Sequence, residues 1–250
     1  MIFITGDTHG DWMKRLKVES FPEQKEMTKN DYVIILGDFG IWDDSKREKY
    51  NLDWLENRPF TTLFVSGNHE NYDILDSLPI EEWHSGKVNF IRPSIIHLTR
   101  GQVFNIQDKT FFAFGGASSH DISAGILEPD DPLFKEKKRM LDKDQFALYR
   151  INHVSWWERE LPSQEEMRNG LDNLKKENNK VDYIITHSPS TSELYLMGGK
   201  VLYQSDILTN YLEEIKANTE YKRHFFGHMH MNKTINDKDI CLYEQIIRIL

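Results

Sequence analysis

The side chains best suited to metal chemistry fall in five short stretches: Asp7-Thr8-His9, Gly37-Asp38, Gly67-Asn68-His69-Glu70, Thr186-His187 and Gly227-His228-Met229-His230. Carboxylate and amide oxygens and neutral imidazole nitrogens are ligands for divalent first-row ions. In an extended chain, residues two apart face the same way, so Asp7 and His9 can address one point, and so can His228 and His230. A lone Asp-x-His is as ordinary as a turn or a helix cap. Here every stretch follows a run that reads as a buried strand, and the combination carries the signal. The set supplies ligands for two adjacent divalent ions, with one histidine left over. That chemistry is metal-assisted hydrolysis of a phosphate ester.

Short apolar runs must position these loops. Met1–Thr5 and Tyr32–Leu36 end in Gly-Asp, Thr61–Val65 in Ser-Gly-Asn-His, Thr110–Phe114 in Gly-Gly, Val181–Ile185 in Thr-His, and His224–Phe226 in Gly-His. Such runs, bounded by glycine, predict buried strands. Gln102–Ile106 and Lys233–Ile235 read as further strands, and Ile240–Ile249 as one or two more. Helical periodicity lies between them: Trp12–Val18 behind an Asp11 cap, Lys46–Glu56, Gln164–Lys176 behind a Ser163/Glu166 capping box, and Asp206–Ala217. Strands alternating with helices predict an α/β layered fold, with ligands on loops at strand C-termini. The expected organisation is one domain over residues 1–250. A charged, irregular stretch at 120–153 reads either as a helical insertion or lid, or as a solvated excursion.

The 250 residues are 39% hydrophobic and 28% charged, as in an ordinary globular protein. No run of about 18 apolar residues predicts a membrane span. The first proposed ligand is Asp7, which leaves no room for a secretory leader. The one cysteine, Cys241, has no internal partner. Both point to a cytoplasmic setting. A net charge of −9 disfavours a general nucleic-acid binder. It leaves a nucleotide substrate open, because two bound dications change the local charge.

Taken in order, the stretches resemble the calcineurin-like metallophosphoesterases, whose pattern is D-x-H, G-D-x-x-D, G-N-H-[E/D], a lone His, and G-H-x-H. The resemblance runs from residue 7 to residue 230. It implies an α/β/β/α sandwich of four layers with two mixed sheets. Matched residue by residue, it implies one metal held by Asp7, His9, Asp38 and His230, and a second held by Asp38, Asn68, His187 and His228. Asp38 would bridge ions roughly 3.5–4 Å apart. The mixed oxygen and nitrogen set suits Mn²⁺ first, with Fe²⁺/Fe³⁺ or Zn²⁺ as alternatives. A metal-bridging hydroxide would attack phosphorus while His69 protonates the leaving group.

The pattern also departs. The second aspartate of G-D-x-x-D falls at Ile41, so the usual partner of the acid histidine is missing; Asp43, Asp44 and Glu70 are the nearby carboxylates. Trp42 and Ser66 stand where the protein Ser/Thr phosphatases carry phosphate-gripping arginines. Some bacterial relatives share a Gly-Gly-Ala-x-Ser turn, an aspartate and an arginine before Trp-Trp-x-x-Glu. Gly115–Asp121, Arg150 and Trp156–Glu160 are similar. Arg150 is therefore a candidate for a substrate phosphate, with a surface ion pair as the alternative. His120 and His153 read as plain polar residues first, with lining of the pocket as the alternative, and the Trp156–Trp157 pair as core rather than as a platform for a base. The expectation is a phosphodiesterase or phosphomonoesterase, diester first. The rivals are a protein Ser/Thr phosphatase, a nuclease, and a non-catalytic binding module of the same fold. The last should have lost ligands or His69, and none is missing. The natural substrate and the oligomeric state are left open.

Overall fold

The structure is a computed structural model that describes residues 1–202 and 204–250, with residues 199–202 described as backbone alone. The first sheet contains β1 (Ile2–Thr5), β2 (Tyr32–Leu36), β3 (Thr61–Val65), β4 (Glu81–Trp83), β5 (Gly86–Arg92) and β6 (Ile95–Leu98). The second holds β7 (Gln102–Ile106) and β8 (Lys109–Phe114). A small ribbon of β9 (Ile126–Leu127) and β10 (Arg150–Ile151) follows. The chain then adds β11 (Tyr183–Thr186), β12 (Arg223–Phe226), β13 (Lys233–Thr234) and β14 (Asp239–Cys241) to the second sheet, and β15 (Ile246–Arg248) to the first. The spatial orders are β15-β1-β2-β3-β6-β5-β4 and β13-β14-β12-β11-β8-β7. Both sheets are mixed, with parallel centres and antiparallel edges.

The layering follows from period-two side chains. Ile2, Ile4, Ile34, Leu36, Leu63 and Val65 pack between the sheets, against Phe104, Phe111, Ala113, Tyr183, Ile185 and Phe225. Their sequence neighbours Phe3, Val33, Ile35 and Phe64 face the other way. There they meet α1 (Trp12–Leu16), α2 (Lys46–Glu56) and α3 (Tyr72–Ser77) through Trp12, Leu16, Leu52, Leu55, Tyr72 and Leu75. On the outer face of the second sheet, Phe112, Phe114 and Ile184 bury Met167, Leu208, Tyr211 and Leu212. These come from α5 (Gln164–Lys176) and α7 (Ile207–Asn218); the intervening α4 spans Phe134–Leu141 and α6 Thr191–Leu202. The result is the expected helix–sheet–sheet–helix order. Strands buried on both faces read as continuous apolar runs, which is why they stood out in the sequence.

Local signals held in most places. Ser163 and Glu166 form the expected reciprocal capping box on α5. Asp206 caps α7 with its side chain. Asp11 makes no side-chain cap bond to α1, which ends at Leu16 rather than Val18. The 120–153 stretch contains the β9–β10 ribbon and α4, a helix with no buried residue. No described helix is long and apolar enough to cross a membrane.

Candidate metal centre

Five strands deliver the candidate ligands. β1, β2 and β3 run parallel in one sheet, and β11 and β12 run parallel in the other, so their C-terminal loops meet at one edge. β1 leads to Asp7 and His9, β2 to Asp38, β3 to Asn68 and His69, β11 to His187, and β12 to His228 and His230. The loops are tightly bent. His9, Asp38, His228 and His230 all have positive φ, between 42° and 65°. Such strain in non-glycine residues persists only where surrounding contacts dictate it. Here the contacts are mutual: His9 N donates to Asp38 O (2.7 Å), His69 N to Asp38 Oδ1 (2.9 Å), and His228 N to Asp7 Oδ1 (2.9 Å).

One oxygen or nitrogen from each of Asp7, His9, Asp38 and His230 lies within 4.8 Å of all the others. His9 Nε2 is 3.0 Å from His230 Nε2, and His230 Nε2 is 3.2 Å from Asp7 Oδ2. Beyond Asp38, His187 Nε2 is 3.5 Å from Asp38 Oδ1 and 3.3 Å from Asn68 Oδ1. His187 Nδ1 is 2.7 Å from Leu36 O, which fixes its proton there and leaves Nε2 for a ligand. The His228 ring sits 5.0 Å from that of His187. All seven expected metal residues are therefore brought together, with Asp38 in the middle.

The charges fit a cation. Burial opposes ionisation of Asp38, but His187, His69 and His9 outweigh it and hold its carboxyl below the usual range. Burial would lower His187, yet Asp38 and Asp7 push it up to about 10. Protons thus balance these carboxylates, and a cation bound by neutral imidazole would take their place. The packing also leaves no slack. A Cβ on Gly67 would overlap Asp38 Oδ1, and one on Gly227 would overlap Asp7 Oδ1.

Support comes from residues that the motif does not name. Asn68 Nδ2 donates to Ser119 Oγ (3.3 Å), and Ser119 donates to Glu160 through Oγ (2.6 Å) and N (2.7 Å). That chain orients the Asn68 amide so that Oδ1 faces the centre. The Tyr243 ring stacks on His230 at 4.7 Å. Glu70 points away from His69; its carboxylate accepts from Phe39 N and from Gly67 N (2.5 Å) and ties two ligand loops together.

The partner of His69 is Arg150, whose Nη2 lies 3.1 Å from His69 Nε2. Arg150 is only 6% exposed and pairs with Asp121 at 2.6 Å. Burial holds His69 below its ordinary pKa; Asp38 opposes that and Arg150 adds to it. Ile41 is buried among apolar residues, Asp43 accepts from Ser45 N, and Asp44 pairs with Lys49. None of these carboxylates reaches His69 by a recorded bond.

The profile of the calcineurin-like phosphoesterases matches residues 1–232. The chain belongs to that family. This phosphoesterase is thus one of a dinuclear, metal-dependent group, and it carries a matching cluster of potential ligands. Among solved structures, a phosphopantetheinyl hydrolase from Mycobacterium tuberculosis aligns over 97% of this chain and 87% of its own, with 14% identity and a TM-score of 0.42. No curated protein matches the phosphoesterase.

Of the two readings of His120, the structure favours the alternative: its Nε2 lies 3.0 Å from His228 Nε2. The signal was present: His120 follows β8 and a Gly-Gly turn, as the ligands follow their own strands. His153 pairs instead with Asp73, away from the ligands. Trp157 is core, as expected, with its indole N–H on Asp73 (2.8 Å).

Proposed function

We propose that the phosphoesterase holds one metal through Asp7, His9, Asp38 and His230 and a second through Asp38, Asn68, His187 and His228, and hydrolyses a phosphodiester. The observation that carries this reading is the convergence of four ligand atoms within 4.8 Å, with His187 Nε2 and Asn68 Oδ1 on the far side of Asp38. When bound, the metal pair supplies an activated water and neutralises phosphoryl charge. Mn²⁺ is the first choice for this oxygen and nitrogen set, with iron and zinc as alternatives.

The chain's own residues divide the remaining work. His69 is held by its backbone N–H on Asp38 and by Arg150 at its ring, and it is placed to serve the leaving-group oxygen. Arg150 is placed to share a phosphoryl oxygen with His69. A diester is preferred because Asp121 already balances the Arg150 charge, so this side of the site offers no unbalanced guanidinium for the second charge of a monoester. The same absence argues against a protein Ser/Thr phosphatase.

The test compares bis-p-nitrophenyl phosphate with p-nitrophenyl phosphate, using metal-stripped protein with and without Mn²⁺. The expected result is Mn²⁺-dependent turnover, faster on the diester and lost in Asp38→Ala together with metal binding. Turnover that survives both chelation and Asp38→Ala would overturn the reading.

A further inference from the structure

Trp42 is a large apolar side chain with 44% of its surface exposed, at the rim of the candidate centre. It lines a cavity of about 540 Å³ together with His9, Gly10, Arg47 and Asn51. That volume suits a small organic ligand. A candidate metal ligand, His9, is part of that lining, so the cavity is within reach of the ester substituent of a phosphoryl group held at the centre.

The backbone that carries the indole is held in place. Trp42 N donates to Glu48 Oε2 (2.7 Å), and the next two backbone N–H groups also donate to Glu48, each at 3.2 Å. Trp42 O accepts from Asn71 Nδ2 (2.7 Å), two residues beyond His69. A Cβ built on Gly10 would stand 2.9 Å from Trp42 Cη2, so the six-membered ring packs closely against Gly10. The same side chain, part exposed, borders the cavity. Among the described residues, the other exposed large apolar side chains lie off this cavity. A fixed aromatic face loses little entropy on stacking, and its recognition depends on a planar π-surface rather than on hydrogen bonds.

We infer that Trp42 is a stacking platform for the ester substituent, and that the substrate is a phosphoester of a planar aromatic or heteroaromatic alcohol, such as an aryl or nucleoside ester. This inference rests on the phosphoesterase reading of the centre. It assigns specificity to the pocket between α1 and α2 and leaves the reacting atoms where they were.

Non-hydrolysable phosphonates separate the two ideas. Calorimetry on Mn²⁺-loaded protein would compare methylphosphonate, cyclohexylphosphonate, phenylphosphonate and the methylenephosphonate of adenosine. Phenylphosphonate should bind about tenfold more tightly than cyclohexylphosphonate, an advantage typical of one stacked ring. Trp42→Ala should bring that ratio to near one, and Trp42→Phe should keep most of it. A nucleoside phosphonate that outbinds phenylphosphonate identifies a base as the stacked ring; the reverse order identifies a simple aryl group. If methylphosphonate binds but the phenyl ring adds nothing, or its advantage survives in Trp42→Ala, the stacking role is overturned alone. If no phosphonate binds protein that carries both metals, the phosphoester reading fails and the platform falls with it.

Discussion

Gly67→Ala adds one methyl group and tests whether Asp38 must sit where it does. Gly67 lies in the loop after β3, and its φ is outside the left-handed region, so alanine suits its backbone. The effect is therefore steric. The new Cβ would overlap Asp38 Oδ1 and stand 2.5 Å from Asp38 N and 2.8 Å from its Cγ. Ordinary contact begins near 3.4 Å, so the two loops must separate by roughly 1 Å in an interior without voids. Overpacking of this kind costs about 1–3 kcal/mol, or a melting-temperature drop of roughly 2–4 °C per kcal/mol in a chain this long. The catalytic penalty is larger, since a misplacement of about 1 Å costs on the order of 100-fold in rate. The assay is Mn²⁺-dependent turnover of bis-p-nitrophenyl phosphate, with metal content and thermal melting measured on the same preparation. A folded Gly67→Ala protein with turnover within about threefold of the parent would refute the claim that Asp38 is fixed by its packing.

Ser119→Ala removes the hydroxyl that holds the Asn68 amide, and should weaken one metal site about 10- to 100-fold while sparing the other; stepwise metal titration reads this directly, and equal loss at both sites would contradict it. His69→Asn should reduce hydrolysis of an alkyl diester by about 100-fold or more, and hydrolysis of a p-nitrophenyl diester much less, because p-nitrophenolate needs little protonation; equal losses on both esters would count against an acid role. His97, in contact with Asn89 at 3.0 Å, is pushed by burial down to about 3. Below its unfolded pKa the unfolded chain binds a proton that the folded chain refuses, so stability is full above about pH 6.5 and falls as pH drops, by about 2–3 kcal/mol at pH 4.5. His97→Gln should flatten that part of the urea-midpoint profile between these pH values, and an unchanged slope would rule His97 out as its source.

The readable parts of the sequence were those whose physics is local. β2, β3 and β7 appear at their expected bounds, because buried strands are short apolar runs closed by turn residues. β4 gives no signal in the sequence: Glu81 and Glu82 lie exposed on an edge strand, where neither apolar continuity nor clean alternation is needed. α3 is six residues long, capped by Asn71, and too short to show a period. The opposite outcomes at Asp11 and Ser163 have a similar cause. Both are good cap residues by type, but only Ser163 carries a glutamate three residues on that returns the bond.

The ligands were legible for a further reason that does not extend to their supports. A residue that faces a metal at the end of a parallel strand must come within a few positions of that strand, so the motif stays compact and ordered along the chain. A residue that steadies a ligand has no such constraint. Asn68 is steadied by Ser119, 51 positions away, and His69 meets Arg150, 81 positions away. Both contacts depend on the stretch between β8 and α5, where Ser119, Glu160, Asp121 and Arg150 bond to one another in pairs. With Ile41 where the pattern has an aspartate, the residue that meets the His69 ring is Arg150, of opposite charge to the one expected. A guanidinium fixes the imidazole as a carboxylate would, but it disfavours the second proton instead of favouring it. The missing aspartate therefore has no electrostatic substitute at His69, and the His69→Asn comparison across leaving groups is the place where that difference should be read.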